Sequence, residues 1–98
     1  MSARDEIEAH LMDLNPEALF ADGFDDALIG IASRPNLGPV ALYDRDRCRE
    51  VLVRDNEMTE SQAEEWLSFN VTGAWAGPGT PIFCELIEGR RHWDRRLI

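Results

Sequence analysis

The side chains able to do chemistry are few and widely spaced. Cys48, Cys84, His10 and His92 are the thiol and imidazole groups of the 98-residue chain, and no two stand at the short local spacing of a zinc site. Asp22, Asp25 and Asp26 cluster, and Asp44 and Asp46 join them if a hairpin brings two strand ends to one side. Such oxygens suit a divalent cation, but the Asp-x-Asp-x-Asp-Gly spacing of a calcium loop is missing. Capping and turn roles account for Asp22, Asp25 and Asp44 without an ion, so no metal is expected. A nucleophilic site needs a thiol or hydroxyl beside a base. Cys48 falls on the inner stripe of a helix and Cys84 in a strand, so both read as buried, inert thiols, and neither histidine has an evident partner. Neither catalysis nor a cofactor is expected.

Charge is the more informative property. The net charge is -9, with a pI near 4.5, which disfavours nucleic acid as a partner because phosphate would be repelled. From Met1 to Ser33 a single arginine, Arg4, stands against eight acids, and Asp55, Glu57, Glu60, Glu64 and Glu65 add five more without a basic residue among them. The end of the chain reverses the sign, with Arg90, Arg91, Arg95 and Arg96 against Asp94. Such a tail could dock on the protein's own acidic face. Every basic residue is arginine, whose planar fork suits carboxylate and phosphate. A G+C-rich coding sequence produces the same bias, and that explanation carries the larger share.

These groups need a scaffold, and the length allows one domain. Ser2 with Asp5 resembles a helix start, and Ile7, Leu11 and Leu14 make one stripe of an amphipathic helix that Asn15-Pro16 stops. Pro16 can then open a second short helix through Glu17–Phe20, with a turn at Gly23. Ala27–Ala32 reads as a buried strand with a bulge or close approach at Gly30, and Pro39–Tyr43 as its hairpin partner across a Pro35–Gly38 loop. Asp44 caps a helix that buries Cys48, Val51 and Leu52, and Asp55-Asn56-Glu57 ends it. Thr59 and Gln62 form a capping box for a helix whose inner stripe is Ala63, Trp66 and Leu67. A glycine-rich loop holding Trp75 leads to a third strand, Thr80–Ile87. The expectation is a small α+β domain closed by a three-stranded antiparallel sheet, divided into an N-terminal helical segment 1–21, a core 22–88 and a basic tail 89–98. The longest apolar stretch, six residues, is far short of the roughly 20 that span a bilayer, and the acidic N-terminus lacks a signal-peptide core. No membrane association is expected, and the cysteines are expected to stay as free thiols in a reducing cytoplasm.

One pattern resembles a known group. Gly23-Phe24-Asp25-Asp26-Ala27-Leu28-Ile29-Gly30, Leu42-Tyr43-Asp44-Arg45-Asp46 with Cys48, Met58-Thr59 with Ala63-Glu64, and Phe69-Asn70-Val71-Thr72-Gly73-Ala74-Trp75 with Thr80-Pro81 resemble a family of small proteins encoded by tailed bacteriophages. The likeness covers roughly residues 22–83 and implies a phage or prophage accessory protein acting in the host cytoplasm, with no catalytic residue to carry over. The chain departs at Asp55-Asn56-Glu57-Met58, where the pattern has Asp-Gly-Met, and Asn56 is expected to take the left-handed turn. The leading expectation is a non-enzymatic inhibitor of a host protein, an anti-defence factor whose acidic faces fill a basic nucleic-acid-binding groove. Glu57, Glu60, Glu64, Glu65, Asp22, Asp25 and Asp26 would form that surface, with Trp75 and Trp93 as aromatic anchors. The alternative is an oligomeric module that captures a small anionic metabolite or nucleotide through Arg45 and Arg49, or Arg90 and Arg91. A role in the virion is a third reading.

Overall fold

The computed structural model describes residues 3–72 and 74–87. Trp93, Arg90, Arg91, Arg95, Arg96 and His92, with the proposed basic tail, lie outside the described residues. The order is α1 (Ala3–Leu14), β1 (Leu28–Arg34), β2 (Leu37–Asp44), α2 (Arg45–Asp55), α3 (Glu60–Leu67) and β3 (Ile82–Cys84), with a 3-10 turn at Asp25–Ala27 and a π-helical turn at Ser68–Thr72. The fold is α+β, as expected, on a three-stranded sheet of order β1-β2-β3.

The hairpin is local chemistry. Arg34 pairs with Leu37 across Pro35-Asn36, and Asn36 takes φ 60, a left-handed position that asparagine tolerates well. Ile29 is the extra residue of a bulge between the Leu28–Tyr43 and Gly30–Leu42 pairs. A Cβ built on Gly30 meets nothing within 4 Å, so the glycine accompanies the bulge rather than a close approach. A second irregularity holds Pro39, where its missing N–H does not interrupt the ladder.

The closing strand differs from expectation in direction and length. β3 pairs with β2 in parallel, through Leu42–Ile82, Tyr43–Phe83 and Asp44–Cys84, and spans three residues rather than eight. The two helices and the loop after them bring the chain back beside Leu42, so that β3 runs alongside the last residues of β2, which is the crossover that a parallel neighbour requires. The sheet is therefore mixed.

Both helix starts form as the residues dictate. The Asp44 carboxylate accepts the N–H groups of Asp46 (3.0 Å) and Arg47 (3.4 Å), and Thr59 and Gln62 exchange side-chain-to-backbone bonds of 3.1 and 2.9 Å. The end of α2 is a correction: Asn56 has φ −111, and Glu57 takes the left-handed position at φ 56. Asn56 instead remains in the last helical turn, its N–H donating to the Leu52 carbonyl at 3.0 Å.

Leu11, Phe24, Ala27, Leu28, Ala41, Tyr43, Cys48, Val51, Leu52, Ala63 and Leu67 form the buried cluster. Tyr43 stacks on Phe83 with centroids 5.1 Å apart, and its hydroxyl accepts the Ala21 N–H at 2.8 Å. Leu14, placed on the inner stripe, is instead 52% exposed because α1 ends there and the chain turns at Asn15. The short helix expected over residues 17–20 is absent. Asn15 Oδ1 accepts the Glu17 N–H (3.2 Å), its carbonyl accepts the Ala18 N–H (3.0 Å), and Leu19 donates to the Gly79 carbonyl (3.0 Å). A four-residue helix is a costly nucleus, and these longer-range partners satisfy the same groups.

Candidate functional site

The acidic candidates divide into two groups. Glu64 is matched twice: Arg45 Nη1 lies 2.9 Å from each carboxylate oxygen and Arg49 Nη1 lies 2.8 Å from Oε1. The hydrogen bond from Arg49, then that from Arg45, holds the Glu64 carboxyl below its ordinary range, and Glu64 in turn raises the Arg49 pKa. Asp26 pairs with Arg54 at 2.9 Å, and Asp25 with Arg4 at 3.5 Å. Arg54 also bonds Asp55, holding that carboxyl below its usual range. Exposed pairs of this kind add little stability, but they cancel charge where the partner-binding reading requires it. Asp22, Glu57, Glu60 and Glu65 have no ion pair among the described residues. The acidic candidates are thus interrupted by guanidinium groups, and two of those without an ion pair among the described residues, Glu57 and Glu65, flank the junction where α2 gives way to α3.

At that junction lies an open cleft of about 520 Å³. Glu57 and Glu65 stand at its edge, Met58, Trp66 and Phe69 supply apolar surface, and Asn56, Gln62 and Asn70 supply amides. The local structure places each of them. Left-handed Glu57 turns the chain out of α2, the capping box starts α3 three residues later, and the π-helical turn extends the helix so that Phe69 projects outward, 78% exposed. Asn70 Nδ2 donates to the Trp66 carbonyl at 3.0 Å, and the Trp66 ring rests on Phe24 with centroids 5.9 Å apart. Asp22 lies behind Trp66, in a small neighbouring depression with Asn56. Glu60 borders a different hollow, beside Arg49 and Arg54.

Of the aromatic candidates, Trp75 is 70% exposed and lines a separate groove with Arg34, not the α2–α3 cleft. Phe69 was not among the expected anchors, yet the signal is visible. Ala63, Trp66 and Leu67 define the inner stripe of α3, the next inward position is 70, and an aromatic at 69 falls off that face.

Both cysteines are free thiols whose neutral form is favoured. Cys48 is fully buried, and burial, then the Asp44 charge, pushes its thiol up to about 12; the same two causes raise Cys84, which is half-buried. Among the described residues no three His, Cys, Asp or Glu side chains converge to hold a metal ion, and no helix is long and apolar enough to cross a membrane. Comparison with known protein families, with characterised proteins and with solved structures finds no match.

Proposed function

We propose that this protein is a binding module, without an active site of its own, that captures and inhibits a partner protein through the α2–α3 cleft. One observation carries the reading: two carboxylates without ion-pair partners among the described residues, Glu57 and Glu65, border apolar surface that includes a largely exposed phenylalanine. Exposed aromatic surface is where binding energy concentrates in protein interfaces, and unpaired rim charge selects and steers the partner. The matching surface is a basic segment that carries an apolar anchor, such as the rim of a nucleic-acid-binding groove. The resemblance to the tailed-phage family makes a protein of the bacterial host the natural partner, and interference with host defence the natural purpose.

The arginine alternative has less support. Arg45 and Arg49 both hold Glu64, so an anion at that helix would have to displace a carboxylate already bonded to them. The test uses a lysine-rich amphipathic peptide as probe and follows Trp66 fluorescence. Binding is expected to weaken steeply with salt, and E57Q/E65Q is expected to slow association far more than E60Q/E64Q, which removes the same formal charge. Equal effects from the two double variants, or affinity that ignores salt, would overturn the assignment.

A further inference from the structure

Among the described residues, Arg34 is the arginine with no carboxylate within ion-pair distance; Arg4, Arg45, Arg47, Arg49 and Arg54 each have at least one. It stands half-buried beside the hairpin turn, where its guanidinium is positioned by main-chain oxygens. Nε donates to the Gly38 carbonyl at 3.0 Å, and Nη2 donates to Gly38 and, at 2.7 Å, to the Pro78 carbonyl. A guanidinium has five N–H donors, so among the described residues the two on Nη1 are unengaged, and the positive charge there is held by neutral dipoles. Glu17 borders the adjoining depression but stays outside ion-pair distance.

Arg34 lines a groove of about 420 Å³, within the usual span of small-molecule sites at roughly 300–1,000 Å³. The rest of its wall is mainly apolar: Leu37, Val71, Trp75, Ile82 and Phe83. Phe83 is braced from behind by Tyr43, so this wall is part of the sheet. Trp75 and Leu37 remain 70% and 50% exposed, apolar surface that a ligand would cover. The loop that presents Trp75 is tied down by Thr80, whose hydroxyl accepts the Ala76 N–H and donates to the Gly77 carbonyl, both at 2.7 Å, and by the Arg34 bond to Pro78. A fixed cation with free donors at one end of an apolar groove matches a ligand with a carboxylate at one end and a hydrocarbon body.

We infer that the groove between the hairpin turn and β3 binds a small apolar monocarboxylate, its carboxylate on the Arg34 guanidinium and its hydrocarbon against Trp75, Leu37 and Phe83. The protein's net negative charge does not forbid this, because exposed charges beyond about 8 Å are screened at physiological ionic strength. The site is independent of the α2–α3 cleft.

Decanoate is the probe, with decanol as its uncharged counterpart, followed by tryptophan fluorescence in the full chain; W75F assigns the signal. Decanoate is expected to bind more tightly than decanol. R34Q is expected to lose about ten- to a hundredfold in decanoate affinity, the scale of one charge-assisted hydrogen bond, with a much smaller loss for decanol, which feels only the loosened Trp75 loop. R34K should recover part of the loss. Should R34Q fail to fold by far-UV circular dichroism, L37E serves instead: it leaves Arg34 in place, sets a carboxylate beside it at an exposed position, and should weaken decanoate more than decanol, which loses only the apolar contact with Leu37. Decanol binding as tightly as decanoate, indifference of decanoate to the substitution used, or no decanoate response up to about millimolar concentration would each overturn the inference.

Discussion

Gly79→Ala tests the way the segment after α1 is held. A Cβ at Gly79 would lie 2.3 Å from the Glu17 carbonyl oxygen, 3.2 Å from its carbon and 3.4 Å from the Ala18 Cα. These are main-chain atoms, so no side chain can swing aside. Restoring ordinary contact, near 3.4 Å, requires the two segments to separate by about 1 Å. The same separation stretches the Leu19-to-Gly79 hydrogen bond from 3.0 Å to about 4 Å, beyond bonding range. Overpacking costs about 1–3 kcal/mol and the lost bond about 0.5–1.5 kcal/mol, a combined destabilisation on the order of 2–4 kcal/mol. For a domain of this size each kcal/mol lowers Tm by roughly 4–8 °C, so a fall on the order of 10–20 °C is expected. Gly30→Ala is the matched control, because its Cβ meets nothing within 4 Å. There the change should lie within about 1 kcal/mol of zero, since alanine also reduces the freedom of the unfolded chain. Thermal and urea unfolding of both variants, followed by circular dichroism, make the comparison. Indistinguishable melting of G79A and G30A would refute the reasoning and remove the contact between residues 17–19 and the 77–80 loop.

The other expectations concern single groups. Tyr43→Phe removes the acceptor of the Ala21 N–H and should cost about 1–3 kcal/mol in urea unfolding, more if the orphaned donor finds no water. Glu64 is held below its ordinary value of 4.5, so its contribution is present above that pH and is lost as pH falls through the folded-state value. Between about pH 5 and pH 3, wild-type Tm should therefore drop more steeply than that of E64Q, with Asp55, common to both, cancelling from the difference. The Cys48 thiol, at about 12, is favoured neutral in the fold, so its stabilisation is complete below the ordinary 9.0 and is lost as pH rises above it. With a disulfide reagent near neutral pH, Cys84 should react first and Cys48 only at the rate of unfolding.

Much of the frame was legible because it rests on partners a few residues apart. Asp44 caps α2 through N–H groups two and three residues on, and Thr59 and Gln62 answer one another within a single turn. The hairpin and the burial of Cys48, Val51 and Leu52 follow from equally local rules, although the strands run on to Arg34 and Leu37 and the turn closes at Pro35-Asn36 instead of over the expected Pro35–Gly38 loop. Even locally, a choice between near-equals can go the other way: Asn56 was the better candidate for the left-handed turn, and Glu57 takes it because Asn56 stays bonded in the last turn of α2.

The candidate sites were legible only in part. Composition sets the net charge, but whether a carboxylate presents that charge depends on which guanidinium the fold brings to it. Arg45 and Arg49 reach Glu64 from 19 and 15 residues away, and Arg54 reaches Asp26 from 28. The direction of β3, and with it the groove beside Arg34, depends on the route of the whole helical crossover. Spacing along the chain governs hydrogen bonds that close within a turn; ion pairs, grooves and the exposure of Phe69 depend on distances through space, which exist only once distant segments have docked.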